Sequence, residues 1–427
     1  MRNFIYKTLA LIFIVSSGLN LKAQYDVYFT DQQLRIDYYI YGNADTCHYA
    51  LDRYVKESTW GGTRKQLVDS LGYGDYMFEV LLHDSDIVIY SRGYCNLFGE
   101  WQSTAEAQNI TKGFSESIIM PFPKEIVDVV FYRRNYDGVF IEMMRLVVDP
   151  DNYFIQEIPR HQYSVLNIHG DLPAEKAVDI VILPDGYSES EMGKFIIDCN
   201  YFTECLFSYE PYKSYQDRFN IKAIMVPSED SGISIPGENV WKNTAVGCSF
   251  YTFDSERYCL SFNNQAIRNL AGMIPYDQIY ILANTTKYGG GGIYNFHCVS
   301  STNDDLSSDV IIHEFGHGFA GLADEYYYDE TSYEGFYNLS VEPWEPNITT
   351  LVDFDKKWKD MIKKKTPVPT PEENKYIDEI GVFEGGGYEP KGMYRPKTDC
   401  LMKTFNGDKF CEVCQRAIEK MILYYTE

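Results

Sequence analysis

The segment HEFGHGFAGLADEY, residues 313–326, carries the residue types that hold a catalytic metal ion. His313 and His317 are four residues apart, so in an α-helix they lie about 40° apart on one face. Two imidazoles in this arrangement can occupy two corners of a zinc tetrahedron. Glu314 is turned about 100° from His313 and can take a proton from a zinc-bound water without binding the metal. The spacing therefore predicts a Zn²⁺ site with Glu314 as the general base.

The alternative is a helix that carries two surface histidines. The segment around the motif is apolar, which indicates a largely buried helix. Gly316 and Gly318 are poor helix formers, and their presence suggests close packing or access beside the site. These features favour the metal site over the surface helix.

A catalytic zinc takes three protein ligands and keeps one position open. Gly321 can end the helix in a left-handed conformation, and Asp324 follows three residues later. This resembles the metzincin pattern HExxHxxGxxH/D, but the step from His317 to Gly321 is four residues instead of three, giving HExxHxxxGxxD. We predict Asp324 as the third ligand, with Glu325 as the alternative.

The carboxyl-terminal segment TDCLMKTFNGDKFCEVC offers Met402 as a methionine that could lie beneath the metal, although simple core packing is the alternative. The CEVC motif allows a redox pair, or half of a structural zinc site with Cys400 as a third ligand. Disulfides, including one that involves Cys400, are the preferred interpretation for an exported chain. Two further pairs are plausible among the ten cysteines: Cys199 with Cys205, and Cys248 with Cys259.

Two regions should position these residues. Residues 24–155 contain alternating or continuous β-branched and aromatic runs separated by turns, which predicts an all-β sandwich domain. In residues 160–427, strands such as VDIVILPDGY alternate with helices, which predicts an α/β or α+β domain with a mixed, mostly parallel sheet. We expect the strand in QIYILANTTKYGGGG to form the sheet edge over the cleft, where a peptide could add as a further strand.

The first 23 residues combine a positive start, a short apolar run and a small residue at Ala23, as in a secretory signal peptide. We therefore predict export to the periplasm, the cell surface or the medium. The apolar run is too short for a membrane span. The formal charge is −24, and removing this segment leaves 35 basic against 62 acidic residues, or −27. Such a chain should repel nucleic acid.

With VDIVILPDGY, FNIKAIMVPSEDSGIS, YDQIYILANTTKYGGGG and CLM, the histidine motif resembles the IgA-specific zinc metallopeptidase family of bacteria. The resemblance covers residues 160–427, and residues 24 to about 150 resemble the β-domain that often precedes that peptidase domain. It implies a metzincin-like fold, His313 and His317 as zinc ligands, Glu314 as the catalytic residue, Asp324 as the third ligand and Met402 in the methionine turn.

The sequence thus predicts a secreted zinc endopeptidase that hydrolyses peptide bonds through a zinc-bound water activated by Glu314. Its substrate would be a protein or peptide, with host proteins and glycoproteins among the candidates. The resemblance does not carry over specificity for immunoglobulin A, and the oligomeric state is open. The alternative is a zinc-containing surface binding protein that is inactive or acts on something other than peptides.

Overall fold

The computed structural model describes residues 24–157, 163–302, 305–327, 336–405 and 409–427. The predicted signal peptide, residues 1–23, lies outside the described residues, and so does most of the predicted boundary between the two regions. Among the helices that the structure describes, none is long and apolar enough to cross a membrane.

The amino-terminal region consists mainly of two four-stranded sheets with the strand orders β5-β1-β2-β8 and β4-β3-β6-β7. A short α1 opens the region and α2 follows the fourth strand. The elements are α1 (Tyr25–Tyr28), β1 (Phe29–Gly42), β2 (Cys47–Thr59), β3 (Tyr76–Leu82), β4 (Val88–Tyr94), α2 (Leu97–Trp101), β5 (Lys112–Pro123), β6 (Val127–Arg134), β7 (Phe140–Val148) and β8 (Gln156–Glu157).

Aromatic side chains from the two sheets pack against each other. The ring centroids of Tyr38 on β1 and Phe131 on β6 are 5.1 Å apart. The hydroxyl of Tyr38 also lies 2.8 Å from that of Tyr94 on β4. The described residues therefore form an amino-terminal β region, as predicted, with an aromatic core between its sheets.

The second region is built on a six-stranded mixed sheet with the order β15-β16-β14-β10-β11-β9. The four central strands are parallel, and an antiparallel strand flanks them at each edge. The strands of this region are β9 (Val165–His169), β10 (Val178–Asp185), β11 (Phe219–Ile224), β12 (Cys248–Ser249), β13 (Leu260–Ser261), β14 (Gln278–Ala283), β15 (Gly290–Gly292), β16 (Cys298–Ser301), β17 (Phe383–Gly386) and β18 (Glu389–Arg395). Its helices are α3 (Met192–Leu206), α4 (Asn264–Ala271), α5 (Ser307–Ala320) and α6 (Glu412–Thr426).

Both faces of this sheet are buried, which explains why the middle of β10, residues 180–183, is a continuous apolar run. Ile180 and Ile182 point to a core that they share with α3, α5 and α6. Val181 and Leu183 point the other way, to a core that they share with α4 and the amino-terminal sheets. The mixed α/β architecture was predicted, but the packing of the β region on one face of the sheet was not.

Polar contacts join the two regions directly. The Arg92 guanidinium on β4 donates to the Tyr425 hydroxyl on α6 at 2.6 Å. The Asn264 side chain on α4 donates to the Ser117 hydroxyl on β5 at 2.9 Å. Both contacts are buried, so the amino-terminal region is an integral support of the second region.

The predicted edge strand is only partly correct, because the segment QIYILANTTKYGGGG contains two strands, β14 and β15. β14 lies between β10 and β16, and all six of its residues are buried, as suits a central strand. The glycine run instead forms β15, an antiparallel strand at the edge. The outer side of β15 is already bridged at Gly290, whose backbone N–H donates to the Arg257 carbonyl at 3.2 Å.

The predicted disulfides are not formed: all ten cysteines lie in the described part of the chain and are unpaired. Cys199 and Cys205 are six residues apart on α3, so their side chains are turned about 240° from each other. Cys248 pairs across the β12–β13 ladder with Ser261, which leaves Cys259 two residues out of register.

Gly292 on β15 is a position where any side chain would collide with α5. A Cβ there would lie 2.2 Å from the backbone oxygen of Glu314. We expect Gly292→Ala to lower the free energy of unfolding by about 1–3 kcal/mol, as overpacking typically does. Urea unfolding should be measured beside Gly113→Ala, a strand glycine whose Cβ would meet only Tyr41 Cβ at 3.5 Å. Equal stability of the two variants would contradict the close packing.

Candidate metal centre

The helix α5 carries both histidines and is held by its apolar residues. Ile311, Ile312, Phe315 and Phe319 are buried in the core shared with α3 and the sheet. The helix ends at Gly321, which has a φ of 63° and donates its N–H to the His317 carbonyl at 3.0 Å. A Cβ at this glycine would also lie 2.8 Å from Trp344. The left-handed end turns the chain back toward α5.

This turn brings Asp324 beside the two histidines. The Nε2 atoms of His313 and His317 are 3.1 Å apart. Asp324 Oδ1 lies 3.1 Å from the first and 3.3 Å from the second. These three atoms form a group in which one metal ion could be held. Glu314, the predicted base, follows His313 directly on the same helix.

The ring orientation of both histidines is fixed by backbone carbonyls. His313 Nδ1 lies 3.0 Å from the Leu401 oxygen, and His317 Nδ1 lies 2.6 Å from the Leu322 oxygen. A carbonyl oxygen only accepts, so each Nδ1 must carry the hydrogen. In the neutral rings both Nε2 atoms are then acceptors that face each other and Asp324. Three facing acceptors repel unless a proton or a cation lies between them, so the residues fit a metal ion.

Charge is unevenly shared within this group. Burial would lower the pKa of His317, but the Asp324 carboxylate outweighs burial and raises this pKa to about 9. Burial would raise the pKa of Asp324, yet His317 and His313 hold it well below its ordinary value. Without a metal, a proton on His317 therefore supplies the positive charge that the group needs.

Glu314 is partly buried and lies against the edge strand β15. A Cβ on Gly290 would be 3.0 Å from Glu314 Cγ, so the absence of a side chain there makes room for this glutamate. Burial raises the pKa of Glu314, while His313 and His317 counteract the shift. A carboxyl with a raised pKa can hold a proton between two steps of a reaction.

The structure separates the two candidates for the third ligand. Asp324 faces the histidines, whereas Glu325 points away from them and is fully buried. Glu325 Oε1 accepts from the Asn347 side chain at 3.0 Å and lies 3.3 Å from Cys414 Sγ. The extra residue before Gly321 therefore still allows Asp324 to reach the histidines.

Met402 is fully buried in a turn directly below α5. A Cβ on Gly316 would lie 3.1 Å from its sulfur, so the helix glycine allows this close approach. The Met402 carbonyl accepts from the Glu325 N–H at 2.8 Å. The turn that contains Met402 thus contacts both the helix and the segment that carries Asp324.

Two tyrosines contact the Asp324 carboxylate. The Tyr388 hydroxyl donates to Asp324 Oδ2 at 2.5 Å, and the Tyr326 hydroxyl also interacts with this carboxylate. The ring of the next residue, Tyr327, lies 5.2 Å from the Arg395 guanidinium. Tyr388 was not predicted, because it lies 64 residues from Asp324 in a segment without a motif.

Glu100 on α2 was also missed, since nothing in the amino-terminal sequence points to a site. Tyr258 donates a hydrogen bond to Glu100 Oε2. Burial raises the pKa of Glu100 to about 7, and the charges of His317 and Glu314 are close enough to influence it. The amino-terminal region therefore places a titratable carboxyl near the histidine group.

Two known family models match the chain in sequence. A sequence model described as IgA Peptidase M64 matches residues 166–379 and 372–422, and one described as Peptidase M64 N-terminus matches residues 24–145. The first of these covers more than half of the chain. A search of curated proteins finds no match. The chain belongs to the IgA peptidase M64 family, which is a family of metallopeptidases.

Tyr388 should orient Asp324 for metal binding. We expect Tyr388→Phe to weaken metal affinity about 10–100-fold, the usual effect of removing a hydrogen bond to a metal ligand. Competition with a chromophoric chelator would measure this loss. Tyr153→Phe, at a tyrosine that is 87% exposed, serves as the control and should leave affinity unchanged. An unchanged metal affinity in Tyr388→Phe would show that Tyr388 does not contribute to metal binding.

The raised pKa of His317 should make the metal-free protein sensitive to alkali. Between the ordinary histidine value of about 6.5 and the folded value of about 9, the folded state binds more protons than the unfolded state. The stability contributed by this proton should therefore be fully present below about pH 6.5 and be lost as the pH rises through about 9. Thermal unfolding of metal-depleted protein would show this decline. It should be shallower in Asp324→Asn, which lacks the charge that raises the pKa, and equal slopes would contradict the pairing.

Proposed function

We propose that this protein is a zinc-dependent endopeptidase that acts outside the cytoplasm. The single observation that carries the proposal is the convergence of three acceptor atoms from His313, His317 and Asp324 within 3.3 Å of one another. Two imidazoles and one carboxylate are ligands typical of catalytic zinc, which keeps a fourth position open. Membership of a metallopeptidase family supports the same assignment.

Each side chain has a distinct part in the proposed reaction. His313, His317 and Asp324 would hold Zn²⁺, which supplies Lewis-acid chemistry that lowers the pKa of water and polarises a peptide carbonyl. Glu314 takes the proton from the attacking water and then delivers it to the leaving amine. Tyr388 keeps Asp324 in place through the hydrogen bond to Oδ2. Tyr326, beside the same carboxylate, is a candidate donor to the substrate oxygen.

Export rests on the amino-terminal sequence, whose composition is that of a signal peptide ending at Ala23. We propose the divisions 1–23, 24–155 and 160–427, which the two family matches support. The substrate would be a protein or peptide. The negative charge of the chain argues against nucleic acid as a partner.

Replacement of the proposed base gives the decisive test. We expect Glu314→Gln to lower kcat for peptide cleavage about 10²–10⁴-fold, because proton transfer is lost while the three ligands remain. Cleavage of a mixed peptide library, read by mass spectrometry, should be measured together with bound zinc. Zinc content should be the same in both proteins, and a chelator should abolish cleavage by the wild type.

The matched control is Glu125→Gln, which changes an exposed glutamate and should leave both quantities unaltered. Undiminished cleavage by Glu314→Gln would exclude Glu314 as the base. Equal zinc in wild type and variant with no cleavage by either would overturn the peptidase proposal and favour the zinc-containing binding protein.

A further inference from the structure

A second group of metal-binding residue types adjoins the histidine group. Cys400, Cys411, Cys414 and Glu325 each place one sulfur or oxygen atom so that all four atoms lie within 4.8 Å of one another. The four residues are at most 5% exposed. We propose that they bind a second zinc ion, which has a structural role and is separate from the catalytic metal.

The distances between the sulfur atoms suit a shared metal and not a disulfide. Cys411 Sγ lies 3.5 Å from Cys414 Sγ, and Cys400 Sγ lies 3.7 Å from Cys414 Sγ. A disulfide bond is about 2.04 Å long. Two sulfurs that bind one tetrahedral zinc at about 2.3 Å are about 3.8 Å apart. Three thiolates and one carboxylate would complete a closed, four-coordinate site.

The carboxyl group of Glu325 provides an independent indication. Its Oε1 has Asn347 and Cys414 as neighbours, but Oε2 is buried without a hydrogen-bond partner among the described residues. A buried carboxylate oxygen that is left unpaired carries a large desolvation cost. A cation at the centre of the four ligands would offset this cost and bind the thiolates at the same time.

The helix α6 favours anionic sulfur at this position. Cys411 is its N-cap residue, and Cys414 lies in its first turn. The backbone N–H of Cys411 donates to Cys400 Sγ at 3.2 Å. The positive end of a helix of 15 residues stabilises thiolates, which are the form of cysteine that binds metal.

The second site would fix the geometry of the first. Glu325 directly follows Asp324, and its N–H donates to the Met402 carbonyl at 2.8 Å. Cys400 directly precedes Leu401, whose carbonyl orients His313. A metal bound by both Glu325 and Cys400 would therefore link the segment that carries Asp324 to the loop that orients His313. The same metal anchors both to α6.

Cobalt substitution tests the proposal without any measurement of catalysis. The purified protein should bind about two metal ions per chain. When Co²⁺ replaces zinc, tetrahedral thiolate coordination should produce an intense sulfur-to-cobalt charge-transfer band in the near ultraviolet. A site of two histidines and one aspartate has no sulfur and gives no such band. His317→Ala should lose one ion and keep the band, whereas Cys414→Ser should lose the other ion and the band.

The matched control is Cys205→Ser, which removes a buried cysteine outside the group and should keep two ions and the band. If Cys414→Ser does not fold, the wild-type spectrum decides by itself. A single ion without the band, or a disulfide among the three cysteines in non-reduced peptides, would overturn the second site. Loss of peptidase activity alone would not contradict the second site, since the charge-transfer band is independent of cleavage.

Discussion

The left-handed end of α5 at Gly321 is the constraint on which the rest of the site depends. A continued helix would carry Asp324 away from the histidines by about 1.5 Å per residue. Because the helix stops, Leu322 can accept from His317 and Asp324 can approach both Nε2 atoms. One backbone conformation thus orients the His317 ring and brings the Asp324 carboxylate to it. A side chain at Gly321 would oppose this turn through its positive φ and through contact with Trp344.

The sheet below α5 makes this turn rigid, because both of its faces are buried. The helices cover one face, and α4 with the amino-terminal β region covers the other. The β region is more than a distant appendage, since Glu100 on α2 lies near enough to His317 and Glu314 to be influenced by their charges. The position of the histidine helix therefore depends on residues from nearly the whole length of the described chain.

The sequence patterns predicted those features that depend on residues close together in the chain. The i, i+4 spacing of His313 and His317, the helix end at Gly321 and the alternation of strands with helices can all be read from neighbouring residues. The family and its metallopeptidase activity also followed from motifs. Sequence left Asp324 and Glu325 as alternatives because adjacent residues point in different directions, and only the turn decides which one faces the histidines.

What could not be predicted depends on contacts between distant residues. Tyr388 reaches Asp324 across 64 residues, and β14 is central because β16 pairs on its outer side. The cysteines were interpreted as disulfides from the expected compartment, but the fold gathers Cys400, Cys411 and Cys414 with Glu325, a residue far from them in sequence. Even numbers of cysteine do not reveal whether sulfur binds sulfur or a metal.

The carboxylates at this site favour a positive charge nearby. Asp324, Glu325 and Glu314 come from a strongly acidic chain, and the first two are almost fully buried. Buried carboxylates are tolerated when a positive charge neutralises them, but His317 can supply only one proton, and only below its raised pKa. No lysine or arginine forms an ion pair with Asp324 or Glu325 in the described part of the chain. The Arg395 guanidinium also acts on Glu325, but burial outweighs it and raises the pKa of this carboxyl. A bound metal ion would add positive charge, so we expect metal binding and folding of this region to be thermodynamically coupled.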